Sequence, residues 1–354
     1  MESQAPIAVQ LRGAYRRGAL RRMAALSGAV LVLVFLVLLD LVTGPSGMPL
    51  DEVWAALIAG PNGEDRLAAT ILWYLRMPQT FMGVIVGACL GLAGLQMQTI
   101  LNNPLASPFT LGFSAAAGFG AALAIMYGAN LPAPNYLVVP ISAFLMTLLA
   151  CFIVYFIARL RGATPEILVL AGIAVLFFFQ SLQSLLQFMA SPEVLQEIVF
   201  WLFGSLLKAS WTSVLVALVV AVVCIPIMLR DVWNLTVLRL GDANAASLGI
   251  SVDTLRRRSF ILVALLTAAA VSFVGTIGFV GLIAPHVARS FVGEDHRFGL
   301  PMAAVAGGII IIGASVFGKF ISPNAVIPVG IITAVAGVPM LFAVIVKRSS
   351  GGMR

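Results

Sequence analysis

The stretch that decides the fold is 259–293, SFILVALLTAAAVSFVGTIGFVGLIAPHVARSFVG, which carries no charged side chain before Arg289. A helix rises 1.5 Å per residue, so about 20 apolar residues cross the hydrocarbon core of a bilayer. These 35 residues are therefore too many for one crossing and few for two. Gly275, Gly278, Gly281 and Pro285 interrupt the run, and they predict a broken or re-entrant pair of helices.

Similar apolar runs elsewhere predict single spanning helices. They lie at 24–42, 77–101, 107–129, 133–158, 165–190, 211–229, 300–321 and 325–346. Hydrophobic residues make up 61% of the 354 residues, charged residues only 10%, and mean hydropathy is +1.06. A soluble domain is about a quarter charged. We therefore expect an all-α polytopic membrane protein with about ten transmembrane helices.

The basic residues decide the orientation, because cytoplasmic loops are enriched in lysine and arginine. With two crossings in 259–293, one side of the membrane receives 17 of the 21 basic residues. With a single crossing there, Lys347 and Arg348 would lie outside. We therefore expect both termini to be cytoplasmic.

This topology divides the chain into a basic cytoplasmic N-terminus (1–23), one transmembrane domain (24–348) and a C-terminal tail (349–354). Residues 43–75 and 191–210 would be external, with Ile198–Leu207 as a short interfacial helix, and 230–258 would be the longest internal loop. The first apolar run could be a signal peptide, but it is too long and lacks a clear cleavage site. We interpret it as a retained anchor.

The centres of the spans contain no Asp, Glu, Lys or Arg, which argues against an ion-coupled carrier. Asp40, Arg289 and Lys319 lie towards the ends of their runs, where side chains can snorkel. The sequence Gly313–Lys319 matches the start of a nucleotide-binding loop, but Phe320 replaces the required Ser or Thr, so we expect no ATP site. We predict no catalytic residue and no metal site, and we interpret Cys89, Cys151 and Cys224 as buried apolar residues.

Two polar or small-residue patterns remain within the spans. Gln180, Gln183, Ser184 and Gln187 share one helix face, which either lines an aqueous translocation pathway or forms interhelical hydrogen bonds. The row Gly83, Gly87 and Gly91 predicts close helix packing.

Several motifs occur in a characteristic order. They are LRMP (75–78), QMQ (96–98), NNPLASPFTLG (102–112), LGDANAASLGI (240–250), GFVGLIAPHVAR (278–289) and IPVGIITA (327–334). Together, over about 24–348, they resemble the permease subunits of bacterial ABC importers for ferric siderophores, haem and cobalamin.

This resemblance implies a type II ABC importer permease in the bacterial inner membrane. Each subunit would pair with a second permease subunit, identical or different, with two cytoplasmic ATPases and with a periplasmic or lipid-anchored binding protein. ATP and magnesium would be bound by the partner ATPase, and this chain would bind no cofactor and no nucleic acid. The expected cargo is a ferric siderophore, with haem or cobalamin as alternatives. Readings from other classes are an ion-coupled secondary transporter and a membrane-embedded enzyme or receptor.

The resemblance also implies roles for individual residues. The ATPase-coupling helix would comprise Leu240, Gly241, Asp242, Ala243, Ala245, Ala246, Leu248 and Gly249. The binding protein would dock on Arg76, Gln79 and Lys319, and the cytoplasmic gate would be formed by Asn103, Pro104, Leu105, Thr164 and Pro165.

Each of these roles has a plainer alternative. The coupling segment could be an ordinary loop, Arg76 could anchor a helix end, and the Asn103–Leu105 motif could be a structural turn. If the coupling assignment holds, Asp242 caps a short helix that Gly249 ends, and arginine at Gly241 or Ala245 uncouples transport without affecting folding. If the docking assignment holds, Arg76 and Lys319 are exposed and steer the binding protein.

Overall fold

The computed structural model describes residues 7–128, 134–162, 164–322 and 325–351, and these are almost entirely helical. The first elements are α1 (Ile7–Val42), α2 (Leu50–Ala59), α3 (Arg66–Ala69), a π-helical turn (Thr70–Arg76), α4 (Met77–Ile100) and a 3₁₀ turn (Phe109–Leu111). The middle of the chain forms α5 (Phe113–Tyr127), α6 (Asn135–Arg161), α7 (Pro165–Met189), α8 (Pro192–Leu202) and α9 (Trp211–Arg230). The remainder forms α10 (Val232–Leu238), α11 (Asp242–Ser247), α12 (Val252–Val274), α13 (Val280–Val292), α14 (His296–Ile321) and α15 (Val329–Gly351).

Seven helical segments of the described chain are long and apolar enough to cross a membrane. They are Tyr15–Val42, Arg66–Ile100, Tyr136–Arg161, Pro165–Met189, Trp211–Arg230, Val252–Val274 and His296–Ile321. Three shorter apolar helices are Phe113–Tyr127, Val280–Val292 and Val329–Phe342. The predicted all-helical, polytopic class is therefore confirmed.

The stretch 259–293 is broken, as predicted, and the break is short. Helix α12 starts before the stretch and ends at Val274, where Gly275 takes a φ of +76° that favours glycine. After a non-helical segment at 275–279, α13 begins at Val280. The prediction that Gly281 and Pro285 also interrupt the helix is wrong, since both lie inside α13.

The backbone of this break is buried against the segment that comes after α8. The hydroxyl of Thr276 donates to the carbonyl of Leu202 at 2.5 Å, and the amide of Ser205 donates to the carbonyl of Val274 at 2.7 Å. The amide of Gly330, at the start of α15, donates to the carbonyl of Gly204 at 3.0 Å. Non-helical backbone is tolerated at membrane depth only where protein satisfies its polar groups. These bonds satisfy the carbonyls of Val274, Leu202 and Gly204 in this way.

Helix α4 forms the centre of the bundle and packs against α12, α13 and α14. Its glycine row allows this, because a Cβ on Gly87 would lie 2.4 Å from the carbonyl oxygen of Gly307 on α14. A Cβ on Gly91 would lie 2.1 Å from the carbonyl oxygen of Ala303. The predicted packing role of the row is confirmed.

The fold corrects one smaller prediction and agrees with two others. The helix expected at Ile198–Leu207 instead occupies Pro192–Leu202. It begins there because the Ser191 side chain accepts a hydrogen bond from the amide of Val194. Just beyond its end, Gly204 has a φ of +69°. Gly313–Lys319 lies within α14, away from any strand-to-helix turn. The cysteines Cys89, Cys151 and Cys224 are buried and unpaired.

We predict that Gly87→Val destabilises the protein by at least about 1–3 kcal/mol, the usual cost of overpacking a well-packed core. The added side chain would meet the backbone of α14, which has no flexible end to move aside. The measurement is the midpoint of thermal unfolding in detergent. Gly28→Val on α1 is the control, since a Cβ there meets nothing within 4 Å. Equal midpoints for the two variants would contradict this packing.

Candidate functional site

Helices α1 and α14 run from one end of the bundle to the other. The two ends lie about one bilayer thickness apart. Arg22 and Asp40 are 18 residues apart on α1, about 27 Å at 1.5 Å per residue. Arg297 and Lys319 are 22 residues apart on α14, about 33 Å. Arg22 and Arg297 both contact Asp295, at 3.5 and 2.5 Å. Lys319 contacts Asp40 at 2.6 Å. We call the end that contains Asp295 the basic end and the end that contains Asp40 the opposite end.

Ion pairs tie the loops together at the basic end. Arg239 pairs with Glu294 at 3.0 Å, and Arg258 pairs with Asp231 at 3.3 Å. The hydrogen bonds from Arg297 lower the pKa of Asp295 from its ordinary value, so this carboxylate stays ionised at neutral pH. The predicted internal loop 230–258 is therefore a folded part of this end.

Helix α11 protrudes from that loop with apolar side chains on its outside. Leu240 and Leu248, which flank it, are 63% and 66% exposed, and Ala243 and Ala246 are also exposed. The exposed surface of α11 and its flanks is therefore apolar, although charged residues lie before and after it in the loop. The structure thus places the predicted coupling residues on α11 and directly beside its two ends.

Three details of the coupling prediction are corrected or refined. Asp242 does not cap the helix through its side chain; Gly241 occupies the N-cap position, and the Asp242 carboxylate binds Arg256. Ala245 is fully buried and Gly241 has a φ of +99°, so arginine at either position would disturb folding. The predicted end at Gly249 is confirmed, since its φ is +83° and the helix stops two residues before it.

Arg256, near the start of α12, is a site residue that the sequence did not indicate. Its side chain is 5% exposed, and its Nη2 donates to both carboxylate oxygens of Asp242 at 2.9 Å. Its Nε donates to the carbonyl of Ile100, the last residue of α4, at 3.0 Å. One guanidinium therefore joins α11 to the end of α4.

The predicted gate residues begin directly after that contact. Asn102 has a φ of +45°, and the Asn103 side chain accepts from the amide of Leu105 at 2.9 Å, which forms a tight turn. Thr164 and Pro165 start α7, and Leu168 of the same helix lines a cavity of about 220 Å³ together with Arg256. Arg256 thus contacts the helix end that precedes one half of the predicted gate, and it lines a cavity with the helix that begins at the other half.

The glutamine face of α7 is partly open in the single chain, and Gln187 on it is half-buried. Gln180 and Ser184 are exposed, whereas Gln183 packs against α5, where a Cβ on Gly118 would lie 2.4 Å from its Oε1. Phe188 on the same helix is 88% exposed. Helix α5 therefore covers part of this face, and Gln180 and Ser184 form the part that no other segment of the described chain covers.

The predicted docking residues meet at the opposite end, but two of them are not exposed as expected. Arg76, Gln79 and Lys319 line one cavity of about 200 Å³. Arg76 is 5% exposed and donates to the carbonyls of Leu41 and Val42 at 2.8 Å. These bonds satisfy two backbone carbonyls that the C-terminal end of α1 would otherwise leave without a hydrogen-bond donor. The expectation of exposed, steering charges is wrong for Arg76 and Lys319, because each is held by internal partners.

Asp40 is the centre of a buried network, although its place in the sequence indicated a snorkelling position. It is fully buried, and its carboxylate accepts from Thr80 at 2.6 Å, Ser315 at 2.7 Å and Lys319 at 2.6 Å. Two features of the sequence could have indicated this network. Asp40 is the single acidic residue in its apolar run, and Lys319 is the single lysine of α14. Charges inside membranes are usually paired in this way.

We predict that Lys319→Met destabilises the protein by about 3–5 kcal/mol, because the buried carboxylate of Asp40 loses its counter-charge. The double variant Asp40→Asn/Lys319→Met should recover part of that loss. Unfolding midpoints in detergent measure both effects. Lys208→Met is the matched control, since its ion pair with Glu197 is exposed and 3.6 Å long, and such pairs contribute at most about 1 kcal/mol. A Lys319 variant as stable as the Lys208 variant would refute the network.

The comparisons with known proteins agree with this architecture. The sequence profile of the FecCD transport family matches residues 32–347. The Fe(3+)-citrate import system permease protein YfmD of Bacillus subtilis (strain 168) is 34% identical over 88% of this chain and 91% of its own. The cobalamin import system permease protein BtuC of Halobacterium salinarum is 37% identical over 81% of this chain and 76% of its own.

A structural neighbour gives the same result. A solved metal-chelate type ABC transporter in an inward-facing conformation is 29% identical, with a TM-score of 0.80, and the match covers 91% of this chain and 98% of that one. The profile match spans most of the chain, from inside α1 into α15. The chain therefore belongs to the FecCD transport family.

Proposed function

We propose that this chain is the membrane-spanning permease subunit of an ATP-driven importer that carries a ferric siderophore across the bacterial inner membrane. The observation that carries this proposal is the FecCD family match over residues 32–347. The relatives are transport permeases, and we infer that this chain catalyses no reaction. ATP and magnesium belong to a separate ATPase subunit.

We infer ten crossings with both termini in the cytoplasm. Seven long helices and three shorter apolar ones support that number. The short helix α13 is extended by the buried segment 275–279, which lengthens its path through the membrane. The basic end carries Arg22, Arg239, Arg256, Arg258 and Arg297, which supports a cytoplasmic location for it.

The ATPase would dock on α11. A cytoplasmic partner needs a surface it can cover, and the exposed Leu240, Ala243, Ala246 and Leu248 provide one of apolar character. Ala245 and the two flanking glycines would act by shaping the helix rather than by contact. The Asn103–Leu105 turn and the Thr164–Pro165 start of α7 would form the cytoplasmic gate beside it.

The open face of α7 would be covered by a second permease subunit. Gln180, Gln183, Ser184 and Gln187 would then line a polar passage at the dimer axis. Hydrocarbon cannot hydrogen-bond the exposed amide of Gln180, whereas a water-filled passage can. The binding protein would dock at the opposite end, where Arg76 and Lys319 hold the shape of the receiving surface.

The cargo proposal rests on chemistry shared by several relatives. YfmD and the FecD permease of Escherichia coli (strain K12), 32% identical over 78% of this chain, are both named for ferric citrate complexes. The relative named for cobalamin supports a second candidate cargo. Both ligands are bulky metal complexes with polar groups on their outside, which suits a passage lined by uncharged amides.

A transport assay separates these readings. The complex of this chain with its ATPase and binding protein, reconstituted in liposomes, should import a ferric siderophore when ATP is inside. Vanadate should abolish uptake, and the permease without its ATPase should import nothing. Parallel assays with ferric citrate, cobalamin and haem identify the cargo. Accumulation driven by a proton or sodium gradient without ATP would instead establish the secondary-transporter alternative.

The docking role of α11 gives a separate prediction. The double variant Leu240→Glu/Leu248→Glu should bind the ATPase at least about tenfold more weakly, because burying one leucine contributes about 1.5–3 kcal/mol. Co-purification of the ATPase at defined stoichiometry measures this loss. Leu50→Glu, which changes a leucine of similar exposure (65%) on the external segment α2, is the control. Undiminished ATPase binding by the double variant would exclude α11 as the docking element.

A further inference from the structure

We propose that Arg256 is a positioning residue that transmits movement of α11 to the cytoplasmic end of α4. We call the set Asp242, Arg256 and Ile100 the arginine link. This inference rests on the proposed function, since it deepens the role of α11 as the ATPase-coupling helix. Two contacts of one guanidinium group support it.

The guanidinium of Arg256 is bonded on two sides. Its Nε donates to the carbonyl of Ile100 at 3.0 Å, and its Nη2 donates to the two oxygens of Asp242 at 2.9 Å. Both nitrogens belong to one planar, rigid group, so they cannot move independently. A shift of the Asp242 carboxylate therefore strains the bond between Nε and the carbonyl of Ile100.

Burial and charge differ between the two ends of the arginine link. The Arg256 side chain is 5% exposed, whereas that of Asp242 is 52% exposed. The link thus runs from a solvent-facing carboxylate on α11 to a fully buried residue of the core helix. A cation at the C-terminal end of a helix also stabilises that end electrostatically. The contact between Arg256 and the carbonyl of Ile100 therefore stabilises the C-terminal end of α4.

The residues before and after Ile100 are held in different ways. Those before it are fixed in α4, because Thr99 bonds to His296 on α14 at 2.8 Å and Gln98 bonds to Arg289 on α13. Those after it lie outside the helix but stay bonded to its last turn, because the amides of Asn102 and Asn103 donate to the carbonyls of Thr99 and Gln98 at 3.2 and 3.1 Å. Movement delivered to Ile100 is therefore passed on to the turn at 102–105 through these backbone bonds. That turn contains the proposed gate residues Asn103, Pro104 and Leu105.

The test compares ATP hydrolysis and transport in the reconstituted complex. Asp242→Asn and Arg256→Gln should each lower the number of solute molecules imported per ATP hydrolysed by about tenfold, the effect of losing one hydrogen bond to a charged group. ATPase binding and hydrolysis should persist, because Leu240 and Leu248 are unchanged. The double variant should be no worse than the stronger single one, since both remove the same contact.

Matched controls lie on the same helix as Arg256. Asp253→Asn and Arg257→Gln make the same chemical changes at exposed positions of α12, and they should leave the transport-to-hydrolysis ratio unchanged. If Arg256→Gln fails to fold, Asp242→Asn decides the question, because it leaves the buried Arg256 and its bond to Ile100 in place.

Two results would overturn the arginine link. One is a normal transport-to-hydrolysis ratio in Asp242→Asn. The other is a parallel fall of transport and hydrolysis at constant ratio, which would make the pair a structural or docking contact only. Failure of the proposed function is distinguishable from both, because the unsubstituted complex would then show no ATP-driven uptake.

Discussion

A peptide group in hydrocarbon has no water to bond, so each interruption of a spanning helix must find its hydrogen-bond partners within the protein. In this chain the interruptions meet. The break after α12, the turn after α8 and the start of α15 bond to one another through Val274, Ser205, Gly204 and Gly330. These bonds hold the ends of α8 and α12 beside the start of α15. The rest of the bundle can then pack tightly on α4, whose glycines permit backbone contact with α14.

The two ends of the bundle use charge in different ways. At the opposite end, Asp40 and Lys319 are both buried and the surrounding hydroxyls satisfy the carboxylate, which favours a rigid arrangement. At the basic end, the Arg256 pair spans the boundary between core and solvent, with one partner buried and the other half-exposed.

Sequence reasoning succeeded where local patterns determine the outcome. Apolar run length predicted the helices, the glycines after Val274 predicted the break in 259–293, and the motif at 240–250 predicted a short helix that ends before Gly249. It failed where burial depends on the tertiary fold. Arg76 and Lys319 resemble exposed helix-end charges in the sequence, although both bond to α1, which is distant from them in the chain. Ala245 and Arg256 could not be placed, because a short loop sequence does not show which of its side chains face the core. The roles of the coupling, gate, pathway and docking residues remain predictions.

The burial of Cys89, Cys151 and Cys224 has a practical consequence for observing this protein at work. Each thiol is enclosed among apolar side chains of the core, so a water-soluble maleimide should find little to react with in the folded protein. A single cysteine introduced on an exposed position of α11 would then carry a fluorophore or spin label without first removing the native thiols. Conformational signals from that one position could be recorded in the natural sequence background.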